Sequence, residues 1–388
     1  MAIKILSVDD EQDLEILLTQ YFRRKIRKGE YEFTFAHNGL EALQLMLEKK
    51  NFDIILSDIN MPEMDGLTLL TRINEMRNPA LKCIMVSAYG DMDNIRSAMN
   101  NGAFDFATKP IDLDDLSRTI EKAIEQINFV RESQNEHNQL ESIKNDLAVA
   151  GEIQQAILPR KFPPFPQLAD SVDIFASMTP AKDVGGDFYD FFQIDEDRIG
   201  FVIADVSGKG VPASLFMAVS RTLLRATGTR GVPSHECINS VNKLLCNESL
   251  DSMFVTVFYG IYNLKTGEVD YTNAGHNPPY LLRQNNAVEP LPLSKNFIVG
   301  VFDDFVYTNS NLTLNPGDSL ILYTDGVTEA FNESREMFGE SGLEKTLKSV
   351  PGAGSEEIVE AILEDLKDFV GNEPQSDDIT MLVLKRLK

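Results

Sequence analysis

Short apolar runs alternate with longer amphipathic stretches along the first third of the chain. Residues 3–8, 32–36, 53–57, 82–86 and 104–108 read as strands. Residues 11–27, 39–49, 66–77, 92–101 and 112 onward read as helices. Five βα units at this spacing predict a doubly wound, five-stranded parallel sheet covered on both faces. From Leu116 to Leu158 the pattern changes: no proline interrupts it, and no glycine before Gly151. Leu116, Ile120, Ala123, Ile127 and Val130 recur in alternating steps of four and three. That spacing predicts a narrow coiled-coil seam rather than a stripe packed on a globular core. The seam turns polar at Gln134 and His137 and resumes one residue out of phase at Leu140, Ile143, Leu147, Ala150 and Ile157. Such a short step overwinds a coiled coil locally. Pro159, Pro163, Pro164 and Pro166 then stop the helix.

Beyond the prolines the apolar runs are longer and alternate, as antiparallel strands do. Residues 173–178, 187–194, 198–204, 254–262, 268–273, 280–283, 319–324 and 379–384 fit this pattern. Helical patterns fill 212–227, 235–250, 342–347 and 356–370. An α+β domain follows, an antiparallel β-sandwich flanked by helices. The expected division is 1–122, a helical linker over 123–160, and 161–388.

With 388 residues the chain is long enough for two or three cores. Its net charge of −24 argues against nucleic acid or an anionic membrane as partner. Cys83, Cys237 and Cys246 form no CxxC and suit a reducing compartment. The start reads directly into Ile3-Lys4-Ile5-Leu6, and no apolar run reaches membrane-spanning length, so a soluble cytoplasmic protein is expected.

The carboxylates matter more by position than by number. In open parallel sheets, ligand sites lie beyond the carboxyl ends of the strands. Asp9 and Asp10 follow the first strand, Asp58 the third, Ser87 the fourth and Lys109 the fifth. Three acids gathered there repel one another unless a hard cation such as Mg²⁺ sits among them. Lys109 adds a fixed positive charge and Ser87 a hydroxyl donor for phosphoryl oxygens. This segment resembles the response-regulator receiver domain of two-component signalling. The resemblance implies Asp58 as phosphoacceptor, with Asp9, Asp10, Asp58 itself and the Asn60 carbonyl at the Mg²⁺ site. It makes Ser87 and Lys109 the phosphate-sensing pair, Phe106 the switch aromatic, the Lys109–Pro110 bond cis, and a histidine kinase the partner.

In the second domain, a hairpin centred on Glu196 pairs residue 187 with residue 205, so Asp187 and Asp205 stand side by side at its open end. Asp325 ends one strand, and Asp377 and Asp378 open another that an antiparallel pairing brings to the same edge. Glycines at 185, 186, 208 and 210 crowd this edge and let backbone approach a bound group closely. Several acids with no Cys or His cluster beside them indicate hard metal ions, two of them, and metal-assisted phosphate hydrolysis.

The segments Val184-Gly185-Gly186-Asp187, Ala204-Asp205-Val206-Ser207-Gly208-Lys209-Gly210, Ala274-Gly275-His276-Asn277-Pro278-Pro279, Thr324-Asp325-Gly326 and Asp377-Asp378-Ile379-Thr380 are similar to the metal-dependent (PPM-type) Ser/Thr protein phosphatases, in their SpoIIE-like branch. The resemblance implies two Mn²⁺ or Mg²⁺ ions, with Asp205 bridging, the Val206 carbonyl beside it, and Asp187, Asp325 and Asp377 as further ligands. Asp378 ranks below Asp377, because the broader family often has Asn there. Asp205 and Asp187 are the expected catalytic pair, and His276 is expected to fix a loop rather than to act as an acid. Residues 152–159 are similar to the regulatory linker of that branch. The resemblance further implies a phosphorylated STAS-type anti-sigma-factor antagonist as substrate, and the seam implies a homodimer. A degenerate, non-enzymatic adaptor is the alternative; the survival of the metal ligands distinguishes the two.

Overall fold

The computed structural model describes residues 2–48, 51–88, 91–248 and 253–388. The chain divides into two compact units, Met1–Ser142 and Ile143–Lys388.

The first unit is the expected parallel sheet. Strands β1 (Ile3–Val8), β2 (Tyr31–Ala36), β3 (Ile54–Asp58), β4 (Lys82–Ala88) and β5 (Asp105–Lys109) lie in the order β2-β1-β3-β4-β5. All neighbours are parallel. The central β3 is buried at every position, as a strand covered on both faces must be. Helices α1 (Gln12–Tyr21), α2 (Arg23–Arg27), α3 (Gly39–Leu47), α4 (Gly66–Glu75) and α5 (Met92–Asn100) cover it. Asn38 and Asp65 cap α3 and α4, accepting the Glu41 and Thr68 N–H groups at 2.8 and 2.7 Å. The helix expected over 11–27 is two helices. The break falls at Phe22, whose ring is buried against Tyr31 and Phe33. Lys49 and Leu250, at the ends of two expected helices, lie outside the described residues.

Helix α6 runs unbroken from Leu113 to Ile157. Its first apolar stripe is not a free seam. Leu116, Ile120, Ala123 and Ile127 are at most 1% exposed and pack with Ile5, Leu18, Ile54 and Ile84 in the core of the first unit. Arg131 pairs with the buried Asp53 beside β3. A four-three spacing is shared by coiled coils and by a helix lying on a sheet. The second stripe is different: Leu140 and Ile143 are 59% and 55% exposed, and Leu147, Ala150 and Ile157 are half-buried.

The second unit is a sandwich. One antiparallel sheet has the order β13 (Ser310–Thr313), β10 (Glu268–Ala274), β9 (Val255–Asn263), β8 (Arg198–Val206), β7 (Phe188–Gln193). The other is β12 (Val288–Pro290), β11 (Tyr280–Leu282), β14 (Ser319–Tyr323), β15 (Ile379–Arg386), β6 (Val172–Thr179). Phe201, Ile203 and Phe258 from one sheet share a core with Ala176, Leu320 and Leu384 from the other. Helices α7 (Val211–Gly228) and α8 (Ser234–Glu248) flank the first sheet. Helices α9 (Asp325–Thr328), α10 (Gly339–Ser349) and α11 (Ser355–Val370) lie on the side of the second, where a separate apolar cluster forms. The unexpected β12 and β13 are short, largely exposed edge strands, too brief to show an alternation. No helix among the described residues is long and apolar enough to cross a membrane.

The two stripes of α6 predict opposite responses. Ile120→Ala removes packing from a fully buried site and should cost about 2–5 kcal/mol in the first unit. Ile143→Ala should cost under about 1 kcal/mol in dilute protein. Denaturant titration with hydrogen exchange on β1 and β3 amides checks both. An equal loss at the two positions would mean that the stripes do not differ in burial.

Candidate metal and phosphoryl sites

At the carboxyl edge of the parallel sheet, strand register brings the expected groups together. Asp58 ends β3 opposite Val86, so Ser87 stands one step beyond it on β4, and Lys109 ends β5 opposite Ala88. Carboxylate oxygens of Asp9, Asp10 and Asp58 all lie within 4.8 Å of one another. Asp9 and Asp58 are buried, and Asp10 is exposed. The Lys109 ammonium reaches Asp58 at 2.7 Å, Asp9 at 3.0 Å and Glu11 at 3.1 Å. Burial pulls that ammonium down, but its hydrogen bonds to Asp58 and Asp9 outweigh burial and hold its pKa above the ordinary value. Burial pushes the Asp9 carboxyl up, against the pull of the Glu11 N–H and of Lys109. Ser87 Oγ is fully buried without a hydrogen-bond partner. Asn60 follows Asp58, and its N–H makes a long 3.4 Å bond to Asp58 Oδ1. Phe106 on β5 is 36% exposed. The Lys109–Pro110 bond is cis. Glu11, at the start of the first expected helix, is the third anion on Lys109.

In the second unit the hairpin has the expected register. Phe188 faces Ala204, which sets Asp187 opposite Asp205 one step further on. Tyr323 faces Met381, so Asp325, just past β14, lies level with the start of β15, where Asp377 and Asp378 precede Ile379. Asp187 is 2% exposed, and its Oδ2 has no hydrogen-bond partner. Burial, followed by the charges of Asp205 and Asp378, pushes Asp187 well up. Burial and the charge of Asp325 push Asp205 up to about 7. Burial and Asp377 raise Asp325 as well. Val206, next to Asp205, keeps its carbonyl at this edge: a methyl group on Gly186 would lie 2.9 Å from the Val206 oxygen. Among the described residues, only the first unit gathers three acidic ligand atoms within 4.8 Å; the acids of the second are spread more widely.

The two adjacent acids at the start of β15 do different things. Asp378 accepts backbone N–H bonds from Ala181 at 2.8 Å and Gly186 at 2.6 Å, and so holds the loop that carries Asp187. Gly185 is needed beneath it, because an added Cβ would lie 2.3 Å from Asp378 Oδ2. Asp377 instead points to Lys209, whose ammonium is 2.8 Å from Oδ2. That contact raises the Lys209 pKa. Gly210, with φ of 77°, turns the chain from this edge into α7. Gly208 and Gly210 have no atom near an added Cβ, so backbone conformation rather than close approach explains them.

His276 is sewn into its loop. Its backbone N–H bonds Asn273 Oδ1 at 2.8 Å, its carbonyl accepts from Asn273 Nδ2 at 3.0 Å, and Nδ1 meets Thr256 Oγ1 at 2.9 Å. Burial lowers its pKa to about 4. Gln154, near the end of α6, brackets Gly185 from both sides: Nε2 donates to its carbonyl at 2.6 Å, and Oε1 accepts its N–H at 3.0 Å. Its trace in sequence is a polar residue four places after Ala150 and three before Ile157, on the second stripe.

Both edges fit a hard divalent cation. In the first, three acids crowd one another; in the second, more widely spread acids share an edge and a buried carboxylate oxygen lacks a partner; each has one lysine as counter-charge.

Comparison with known proteins agrees with this division. Residues 5–121 match the family profile described as Response regulator receiver domain, and 195–387 the one described as Stage II sporulation protein E (SpoIIE). Protein IcfG of Synechocystis sp. is 33% identical over 268 residues, 62% of this chain and 41% of that protein. Phosphoserine phosphatase RsbU of Bacillus subtilis is 31% identical over 250 residues, 63% of this chain and 71% of that protein. The SiaA-PP2C domain of Pseudomonas aeruginosa has the same fold, with a TM-score of 0.55, 24% identity, and coverage of 64% of this chain and 99% of that domain. The match to RsbU over most of its length, the two profiles and the register of the acidic edge lead to one assignment: the chain belongs to the SpoIIE-type branch of the metal-dependent PPM protein serine/threonine phosphatases, with a response-regulator receiver domain preceding the phosphatase domain.

Proposed function

We propose that the protein is a phosphorylation-controlled, metal-dependent phosphatase acting on phosphoserine or phosphothreonine of a STAS-type anti-sigma-factor antagonist, in a pathway that sets sigma-factor activity. What carries the proposal is the register that sets Asp187 opposite Asp205, beside Asp325 and Asp377. The phosphoserine phosphatase named among its relatives supports the substrate class. Asp187, Asp205, Asp325, Asp377 and the Val206 carbonyl would hold two ions, Mn²⁺ or Mg²⁺; Asp378 would hold the loop. When bound, the ions supply an activated water and stabilise charge on the phosphoryl group. Lys209, beside Asp377, would turn toward a phosphoryl oxygen once a cation takes over that carboxylate. In the receiver, Asp58 would accept a phosphoryl group from a histidine kinase. Asp9, Asp10, Asp58 and the Asn60 carbonyl would hold Mg²⁺, Ser87 and Lys109 would receive the phosphoryl oxygens, and Phe106 would report the change.

Asp205→Asn should reduce turnover of a phosphoserine protein by at least about 100-fold while thermal unfolding stays near wild type. Excess chelator should do the same reversibly. Persistent turnover in either case contradicts a metal-dependent reaction at this edge.

His276 is neutral at pH 7 and would not serve as general acid. Its folded pKa of about 4 lies below the unfolded 6.5, so its contribution to stability is complete above pH 6.5 and is lost as pH falls toward 4. That contribution is roughly 3 kcal/mol. His276→Gln should keep measurable turnover and flatten the pH dependence of unfolding between pH 6.5 and 4. A steep, unchanged dependence would place the titration elsewhere.

The second stripe, Leu140, Ile143, Leu147, Ala150 and Ile157, would pair with a second copy as a parallel coiled coil, and Gln154 would pass its state to the loop before Asp187. Acetyl phosphate should label Asp58 but not an Asp58→Ala variant, and should change phosphatase rate. One residue inserted near Asn138 rotates the two halves of α6 by about 100° and should uncouple the two activities. Normal switching in the insertion variant would reduce the helix to a tether.

A further inference from the structure

A second charged site lies in the phosphatase unit, away from the acidic edge. Along β7, Asp190 and Phe192 share one face, and α7 packs across it. Arg221 and Arg225, one helical turn apart on α7, both reach Asp190, at 3.0 and 2.6 Å. Asp190 is completely buried. Two guanidinium groups on one carboxylate leave a positive charge over, and the buried Arg221 Nε has no hydrogen-bond partner. The Arg225 guanidinium lies 5.6 Å above the Phe192 ring. Beside this group opens a cavity of about 380 Å³, lined by Arg221, Arg225, Arg160, Lys161, Phe165 and Ile157, among others.

Charge and shape both select the ligand. The walls carry four cations against the one carboxylate of Asp190, on a chain with net charge −24. A structural ion pair would need only Asp190 and its two arginines. Arg160 and Lys161 are exposed residues from the turn after α6, and no acid among the described residues forms an ion pair with either. Guanidinium forks match the oxygens of a phosphate monoester, and a buried unpaired donor calls for an acceptor. The volume falls in the range of small-molecule sites, about 300–1,000 Å³, and exceeds what a bare phosphate fills. Phe165, Pro164 and Ile157 offer apolar wall for a carbon skeleton. Arg221 is ten residues into α7, about 15 Å along its axis from the end that adjoins Asp205.

We infer that this cavity binds a small organic phosphate of about nucleoside monophosphate size, at a site separate from the acidic edge. The phosphate would lie among Arg221, Arg225, Arg160 and Lys161, with the organic part against Phe165. Its bound position would join the exit of α6 to β7, the strand that follows Asp187.

Isothermal titration of the full chain with AMP, ribose 5-phosphate, inorganic phosphate and adenosine tests the inference. The chain has no tryptophan, so Phe165→Trp adds a fluorescence reporter in the wall. AMP or ribose 5-phosphate should bind at one site per chain and shift the emission of that introduced indole; inorganic phosphate should bind more weakly, and adenosine not detectably. The exposed pair Arg160→Gln and Lys161→Gln should weaken binding by at least about tenfold, equivalent to about 1.4 kcal/mol. Arg225→Gln, which leaves Arg221 on Asp190, should do the same. Asp205→Asn should bind as the wild type does. The inference is overturned by absence of saturable binding for both organic phosphates, by adenosine binding as well as AMP, by unchanged affinity in both basic-residue variants, or by loss of binding in Asp205→Asn.

Discussion

Like-charge repulsion among part-buried carboxylates is the constraint from which both ends of this molecule follow. Asp9, Asp10 and Asp58 crowd together in the first unit, and Asp187, Asp205, Asp325 and Asp377 share an edge in the second. Water would separate such groups freely; a folded chain holds them at fixed spacing. Burial first, and the neighbouring carboxylates second, push Asp187 and Asp205 upward. One lysine stands at each edge, Lys109 and Lys209. A single ammonium cannot balance three or four carboxylates, so divalent cations are the natural complement.

Two different backbones arrive at this arrangement. The parallel sheet brings chain-distant residues to one edge because every strand ends there. The antiparallel sandwich does so through hairpin register, in which a tight turn decides which residues stand opposite. In the second, the supporting contacts run through backbone amides. Asp378 and Gln154 hold the glycine loop before Asp187 by its amides, so the position of that carboxylate depends on residues far along the chain.

Helix α6 shows how one periodicity can have two uses. Its first stripe is buried in the core of the first unit, while the second begins with the exposed Leu140 and Ile143. The Arg131–Asp53 pair lies between these two regimes. Near its end the same helix carries Gln154, which grips the loop before Asp187, and it leads into the turn that lines the basic cavity. An input that altered this helix would therefore act on residues adjoining both.

All the strands but β12 and β13, the two fold classes and the acidic positions were legible in sequence because each rests on local spacing. Period-two alternation, βα repetition and the symmetry of 187 and 205 about Glu196 need no knowledge of distant contacts. What the sequence left undecided depended on which surface meets which. Leu116 to Ile127 carry the same four-three spacing whether they face a second helix or a sheet, and only the sheet settled it. Asp377 and Asp378 are chemically identical neighbours, and only the fold turns one to Lys209 and the other to backbone amides. Nothing in the local spacing of Arg221 and Arg225 points to Asp190; the pairing exists only because α7 packs on β7. Sequence determines periodicity and chemistry; burial and direction are properties of pairs of surfaces, and those exist only once the chain has folded.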